Sequence, residues 1–516
     1  MVESSPTCVE VIEAIKNHLP ALYFAFGRGR TELLAAELGC FYDFLDRREK
    51  QKVKKMIREA EEGFPGIFSA RRQNLRHLLL QGIGYHHAGL PPVLKDLVER
   101  LYEERLVYVL FCTETFALGV NFPAASTVFD SCRKWDGREF RPLMNREFFQ
   151  MAGRAGRRGF DRVGHVFVRI DEKYPEQTGF YDERAVEPVR GRLMISPNTV
   201  LSLLTYKTDD EIKVFLERNL AVYQNNREIW QLRRELKALE RKEKELLRSF
   251  CAAKDTPSCQ LYRLSLRREL NHLKRRKNRH RPGARERREE LKKLLQVPRK
   301  DCDYRTCAVA EKQLKNIGEE KNRLILRIDL LQRNSRDFEE EFTGVWRLLE
   351  EMGYVRGREL LPRGKFALEL HVQEILVTEL VFSGILTEAS GEEAAAILAG
   401  VDYQPGRDEW VEKPPFSLER VVQLRKNLLK NGVPEHFCVW NGLPAALAAA
   451  WYRGASFTEL MKKCNLEEGD IFSILRREID LLRQIERAAG SGDPLGAFMR
   501  GIRNVLDREE VALVGV

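Results

Sequence analysis

Nowhere in these 516 residues does an apolar run reach the length needed to cross a bilayer. The first twenty, MVESSPTCVEVIEAIKNHLP, show no basic segment followed by an apolar core, so the expectation is a protein with no membrane association and a cytoplasmic location. Cysteine is sparse and scattered: ten residues read as reduced thiols or metal ligands, not as a disulfide framework. No tandem repeat is visible. Also missing is the G-x-x-x-x-G-K-[ST] loop, whose backbone amides wrap phosphates and whose hydroxyl holds magnesium. The nearest string, RGKFAL at Arg363–Leu368, has Gly364-Lys365 but neither the first glycine nor the hydroxyl.

What is present suggests three or four domains for this length. Lys and Arg exceed Asp and Glu, giving a net charge of +10. The excess is local. Residues 263–300 hold 16 basic and 4 acidic side chains, a net of +12, which leaves the rest of the chain at −2. A polyanion, most simply nucleic acid, suits such a patch.

Along residues 1–172, strand patterns alternate with helical stretches at 30–60 and 91–104. The strand candidates are HLPALYFAFGR, GIGYHHAG, LVYVLFCTET, TVFDS and HVFVRI. That alternation predicts an α/β layer with a parallel sheet. Short amphipathic helices follow in 173–227, the first part of a winged helix that the next segment interrupts. Residues 228–337 are charged helix. Leu232, Leu236, Leu239, Leu246 and Phe250 form one apolar stripe, and Leu314, Ile317, Leu324, Ile328 and Leu331 a second. Two stripes with an excursion between them predict an antiparallel helical hairpin with its tip at RPGAR, Arg281–Arg285. Residues 338–369 read as the later part of a winged helix, with GRELLPRGKFAL as its β-wing. Residues 370–516 read as a helical bundle. The fold class is therefore multidomain α/β plus α.

The sharpest local pattern is QMAGRAGRRGFD, Gln150–Asp161, where Arg154 and Arg157 stand three apart in a glycine frame. The rigid guanidinium fork suits phosphate oxygens. With PALYFAFGR, YHHAGL and FCTETFALGVNFPA before it, this stretch resembles motifs IV, IVa, V and VI of superfamily 2 helicases. The specific resemblance is to the second RecA-like domain of superkiller-type DExH-box RNA helicases. The stretches RGKFALELHVQEILVTELVFSGIL and WYRGASFTELMKKCNLEEGDIFSILRREIDLLRQIERAA resemble that family's winged-helix wing and its DSHCT-type helical domain.

The resemblance implies that Arg154 and Arg157 are fingers that neutralise charge on the γ-phosphate of ATP. Gln150 would contact the phosphate region or orient water. Gly119, Asn121 and Gly153 would face the nucleotide, and Thr113 would touch nucleic-acid phosphate. Gly84 to Gly89 would form a loop on the strand path, with His86 and His87 as packed scaffold. Adjacent strand residues point apart, so that pair is a poor metal site. The ATP and its magnesium would be gripped mainly by a Walker A/DExH domain found nowhere in the sequence, either supplied in trans or lost by truncation. RNA is the expected strand and DNA its competitor; a nucleic-acid-binding adaptor that uses no ATP is the other reading.

In eukaryotic relatives of that family an arch-like insertion binds RNA; 228–337 occupies a similar place but looks different in sequence. Around its tip, Arg275, Arg276, Lys277, Arg279, Arg281, Arg285, Arg287 and Arg288 are candidate phosphate contacts. Cys251 and Cys259 would face Cys302 and Cys307 across the hairpin, giving a four-thiolate zinc complement. Thiols capping apolar seams are the equal alternative.

Overall fold

Runs of four buried residues make most of the central sheet. The computed structural model describes residues 5–512 other than 65, 70, 118–121, 138, 160, 171–180, 275–282, 303 and 491. These divide into two units, one of Met1–Val189, Ser196–Tyr206 and Trp346–Val516, the other of Arg190–Ile195 and Lys207–Val345.

In the first unit, β1 (Ala21–Phe24), β2 (Ile83–His86), β3 (Val109–Cys112) and β4 (Ser126–Phe129) are buried at every position. Burial on both faces explains their unbroken apolar character. A short antiparallel hairpin, β5 (Arg133–Trp135) and β6 (Phe140–Pro142), follows. The half-exposed β7 (His165–Val168) closes the sheet in the order β2-β3-β1-β4-β7, with every pairing parallel. Ala21 lies opposite Val109 and Ser126, and Phe24 opposite Cys112 and Phe129. The strands therefore end level, which brings His87, Thr113 and Asp130 to one edge. Carboxyl edges of parallel sheets are where such folds place ligands.

Three details depart from the sequence reading. The stretch 30–60 is two helices, Arg28–Gly39 and Arg47–Gly63. Asp46 starts the second by accepting from the amides of Arg48 and Glu49, while Glu49 returns a bond to the Asp46 amide. Gly84 to His86 belong to β2, so the loop begins only at His87. GRELLPRGKFAL holds one two-residue strand, Glu359–Leu360, paired with Val355–Arg356; the remainder, Pro362–Leu368, is helical because proline is well placed at a helix start.

The bundle ends in the long helix Glu468–Ala489 packed on Pro494–Leu506. Glu478 on the former is 1% exposed, and neither carboxyl oxygen has a hydrogen-bond partner among the described residues. Burial pushes its carboxyl well above the usual range. The folded state thus holds this proton to a higher pH than the unfolded chain does. The group therefore weakens folding above the ordinary carboxylate range and ceases to as pH falls below it. Glu478→Leu should stabilise the protein by about 1–3 kcal/mol at pH 7. The gain should shrink toward pH 4 in melts taken across that range.

In the second unit the helices Leu220–Ser249 and Tyr304–Glu351 run antiparallel, tied by Arg327 to Glu228 at 3.0 Å and Lys321 to Glu243 at 2.6 Å. Ile229, Ile328 and Leu331 pack with Leu232 and Leu236 between them. A second antiparallel pair, Gln260–Lys274 and Ala284–Gln296, closes on Leu266, Leu270 and Leu291.

Candidate functional site

The helix Asn145–Ala152 delivers the arginine loop, and it is fixed at its start and on its buried face. Glu187 accepts from the amides of Asn145 and Arg146 at 3.0 and 2.9 Å, filling positions that a helix start leaves unpaired. Phe148 stacks on Tyr181 at 3.9 Å and on Phe129 at 4.6 Å. Beyond the helix, Gly156 donates to Ala124 at 2.7 Å and Ala124 to Arg154 at 2.9 Å, pinning the loop beside the start of β4.

Gly164 lies against this loop. A Cβ there would stand 2.4 Å from the Ala155 carbonyl. Gly164→Ala should therefore push the loop out of place and destabilise the protein by about 1–3 kcal/mol, seen as a lowered melting temperature.

Both arginines are half-buried and already engaged. Arg154 Nη2 donates to the Ala117 carbonyl. Arg157 grips Asp161 twice, Nε to Oδ2 at 2.7 Å and Nη2 to Oδ1 at 2.9 Å, and its amide donates to the same carboxylate at 2.9 Å. That fork holds the Asp161 carboxyl down to about 2. Gln150 and Gly153 are exposed beside them. Gly119 and Asn121 lie outside the described residues. Thr113 sits at the carboxyl edge, half-buried, with its hydroxyl 2.9 Å from that of Thr115.

The histidines diverge as expected. His86 Nε2 meets Glu99 at 2.8 Å, while His87 Nε2 meets Glu32 at 2.9 Å and stacks on Tyr85. The neighbours of His87 were not legible in the sequence. Arg72, 2% exposed, binds Glu468 through Nε at 2.8 Å and Glu32 through Nη1 at 2.6 Å. Arg28 forks onto Asp470 at 2.5 and 3.0 Å. Burial pushes the Glu32 carboxyl up, but His87 and Arg72 more than offset it and hold it below the usual range. These contacts join the carboxyl edge of the sheet to the start of the long bundle helix.

Glu32, His87 and Glu467 are the one group of three or more ligand-type side chains that comes within metal-ligand distance among the described residues. Two guanidiniums already supply its positive charge. The zinc set expected in the hairpin is not assembled. The segments do adjoin, with Lys300 donating to Ser258 at 2.9 Å. Yet Cys259 turns inward while Cys251, Cys302 and Cys307 stay half-covered, and the four sulfurs share no ligand sphere. At the tip, Arg275, Arg276, Lys277, Arg279 and Arg281 lie outside the described residues. Arg285 is exposed, Arg288 donates to the Ala284 carbonyl at 3.0 Å, and Arg287 is neutralised by Glu269 and Glu290, each at 2.8 Å.

Among the described residues no helix is long and apolar enough to cross a membrane. The helicase conserved C-terminal domain matches residues 49–159, and the DSHCT (NUC185) domain matches 357–513. The ATP-dependent RNA helicase mtr4 of Schizosaccharomyces pombe is 35% identical over 223 residues, 42% of this chain and 19% of that protein. Human Superkiller complex protein 2 is 38% identical over 190 residues, 36% of this chain and 15% of that protein. The DExH-box ATP-dependent RNA helicase DExH11 of Arabidopsis thaliana is 43% identical over 162 residues, 31% of this chain and 12% of that protein. The matched stretch thus spans about a fifth or less of each relative's length. With a match to a helicase C-terminal domain followed by a match to a DSHCT domain, the chain is similar to the superkiller- and Mtr4-type DExH RNA helicases.

Proposed function

We propose that the chain is the C-terminal part of an ATP-dependent RNA helicase, contributing arginine fingers and part of the strand channel. The observation that carries this reading is the placement of Arg154 and Arg157. They sit on a pinned loop after an anchored helix, each bound to an oxygen acceptor that a phosphate could replace. ATP and magnesium would be held by a Walker A/DExH RecA-like domain outside these residues. The metal would offset phosphate charge, while Arg154 and Arg157 add positive charge on the open side and Gln150 orients water or phosphate oxygen. Gly119, Asn121 and Gly153 would line the nucleotide, and Thr113 would touch the strand. Arg285 and the basic residues of 275–281 in the same hairpin would hold phosphate as well.

The test compares ATP turnover by the chain alone with turnover when a Walker A/DExH domain is added in trans or fused ahead of it, each with and without RNA. No turnover alone and RNA-stimulated turnover in the combined protein are expected. Vigorous turnover by the chain alone sinks the reading. RNA binding indifferent to ATP and to the added domain makes it an adaptor instead.

A further inference from the structure

The helix Leu220–Ser249 has a second face that the apolar stripe conceals. Tyr223, Arg227, Trp230, Arg234, Lys237 and Arg241 follow one another at spacings of four, three, four, three and four. At 3.6 residues per turn all six fall within about 40° of one line, over roughly 27 Å of helix. Every one of them is exposed. Tyr223 and Trp230 leave 61% and 58% of their surface in water. None of the four cations forms an ion pair among the described residues.

A solvated helix face usually mixes signs, and this one does not between 223 and 241. Glu228 and Glu243, the acids that do pair, point to the opposite side, toward Arg327 and Lys321. Glu245 enters the line only beyond its basic end. The rings have no apolar role here either, because the seam with Tyr304–Glu351 is filled by Ile229, Leu232 and Leu236. One guanidinium lies over an exposed ring, with Arg234 Cζ 4.8 Å from the Trp230 centroid.

We propose that this stripe binds single-stranded nucleic acid, Tyr223 and Trp230 stacking on unpaired bases and the four cations meeting the phosphates around them. A protein surface would need acids to match the cations. A duplex would satisfy the cations but hide its bases from the rings. Only an unpaired strand uses both, since stacking requires exposed base faces and phosphate contact requires none in particular. The stripe shares no residue with the arginine loop or the hairpin tip. It needs neither ATP nor a Walker domain, so it stands or falls apart from the function proposed above.

The test uses the full chain without nucleotide. Binding is read by fluorescence anisotropy with a 20-mer of oligouridine, the matching oligodeoxythymidine, and a blunt RNA duplex. Trp230→Ala should weaken both single strands about tenfold and leave the duplex nearly unchanged. Trp230→Phe should restore most of the loss. Arg234→Glu/Lys237→Glu/Arg241→Glu should weaken the single strands further and reduce the slope of log affinity against log salt by about 2. Arg285→Glu/Arg288→Glu, at the tip, should add its own loss to either variant. A preference between the uridine and thymidine strands tells RNA from DNA. Wild-type affinity in both stripe variants overturns the proposal and leaves the face to a protein partner. Equal losses for duplex and single strand in Trp230→Ala overturn the stacking role.

Discussion

Arg157→Ala should reduce RNA-stimulated ATP turnover of the combined protein by roughly 10³–10⁵-fold, the range for losing an arginine finger. RNA affinity should not change, because the guanidinium touches no proposed strand contact. Arg157 is held in a fork by Asp161, with N···O distances of 2.7 and 2.9 Å. The carboxylate orients the guanidinium, and the hydrogen bond to Asp161 raises its pKa further above its usual value. A γ-phosphate offers the same fork geometry with more negative charge, so in the proposed role the arginine would exchange one anion for another. Arg157→Lys keeps the charge but loses the fork, and should recover only part of the rate. Arg154→Ala should act in the same direction, since its Nη2 donates at rest to a neutral acceptor, the Ala117 carbonyl. Turnover unchanged in Arg157→Ala would remove the finger role while leaving the kinship with helicases intact.

The parts of this fold that show in the sequence are those governed by local pattern. The strands are short apolar runs between turns, and four of them are buried on both faces. The long hairpin helices follow from leucine spacing, and a second antiparallel pair, Gln260–Lys274 and Ala284–Gln296, lies between them in the sequence. Where two patterns share a stretch, one hides the other. The break at Cys40–Asp46 lies among apolar and aromatic residues that continue a helical look, and only the Asp46–Glu49 cap reveals it. The expected wing has strand-like composition, but its second half is a helix that opens with Pro362. On Leu220–Ser249 the leucine stripe masks the second periodic face that carries Tyr223 and Trp230. Least legible is the network around His87. Arg72 and Glu468 are 396 residues apart, and nothing in either segment marks the other as its partner.

That network carries the second large effect. Arg72→Met should destabilise the first unit by about 3–5 kcal/mol, because it leaves the Glu468 carboxylate buried without its cation. Arg72 is 2% exposed and Glu468 3%. Ser69 donates to the other Glu468 oxygen at 2.7 Å, so that carboxylate cannot turn to water without breaking further bonds. The Gly469 amide donates to the Gly89 carbonyl at 2.9 Å, and a Cβ on Gly469 would stand 2.2 Å from the Ala88 carbonyl. Loop and helix start therefore touch backbone to backbone, and a displaced Glu468 would pull on that contact. Thermal melts should show the loss, and hydrogen exchange should accelerate at the Gly469 amide well before the strands open. Replacing both partners separates pairing from mere bulk. Arg72→Met/Glu468→Leu removes the stranded charge, while Glu32, one-third exposed on its side chain, can turn to solvent. The double variant should therefore recover at least half of the stability that Arg72→Met loses. If the double variant is no better than Arg72→Met, the ion pair is incidental, and the seam is held by the glycine contact and its apolar surroundings instead.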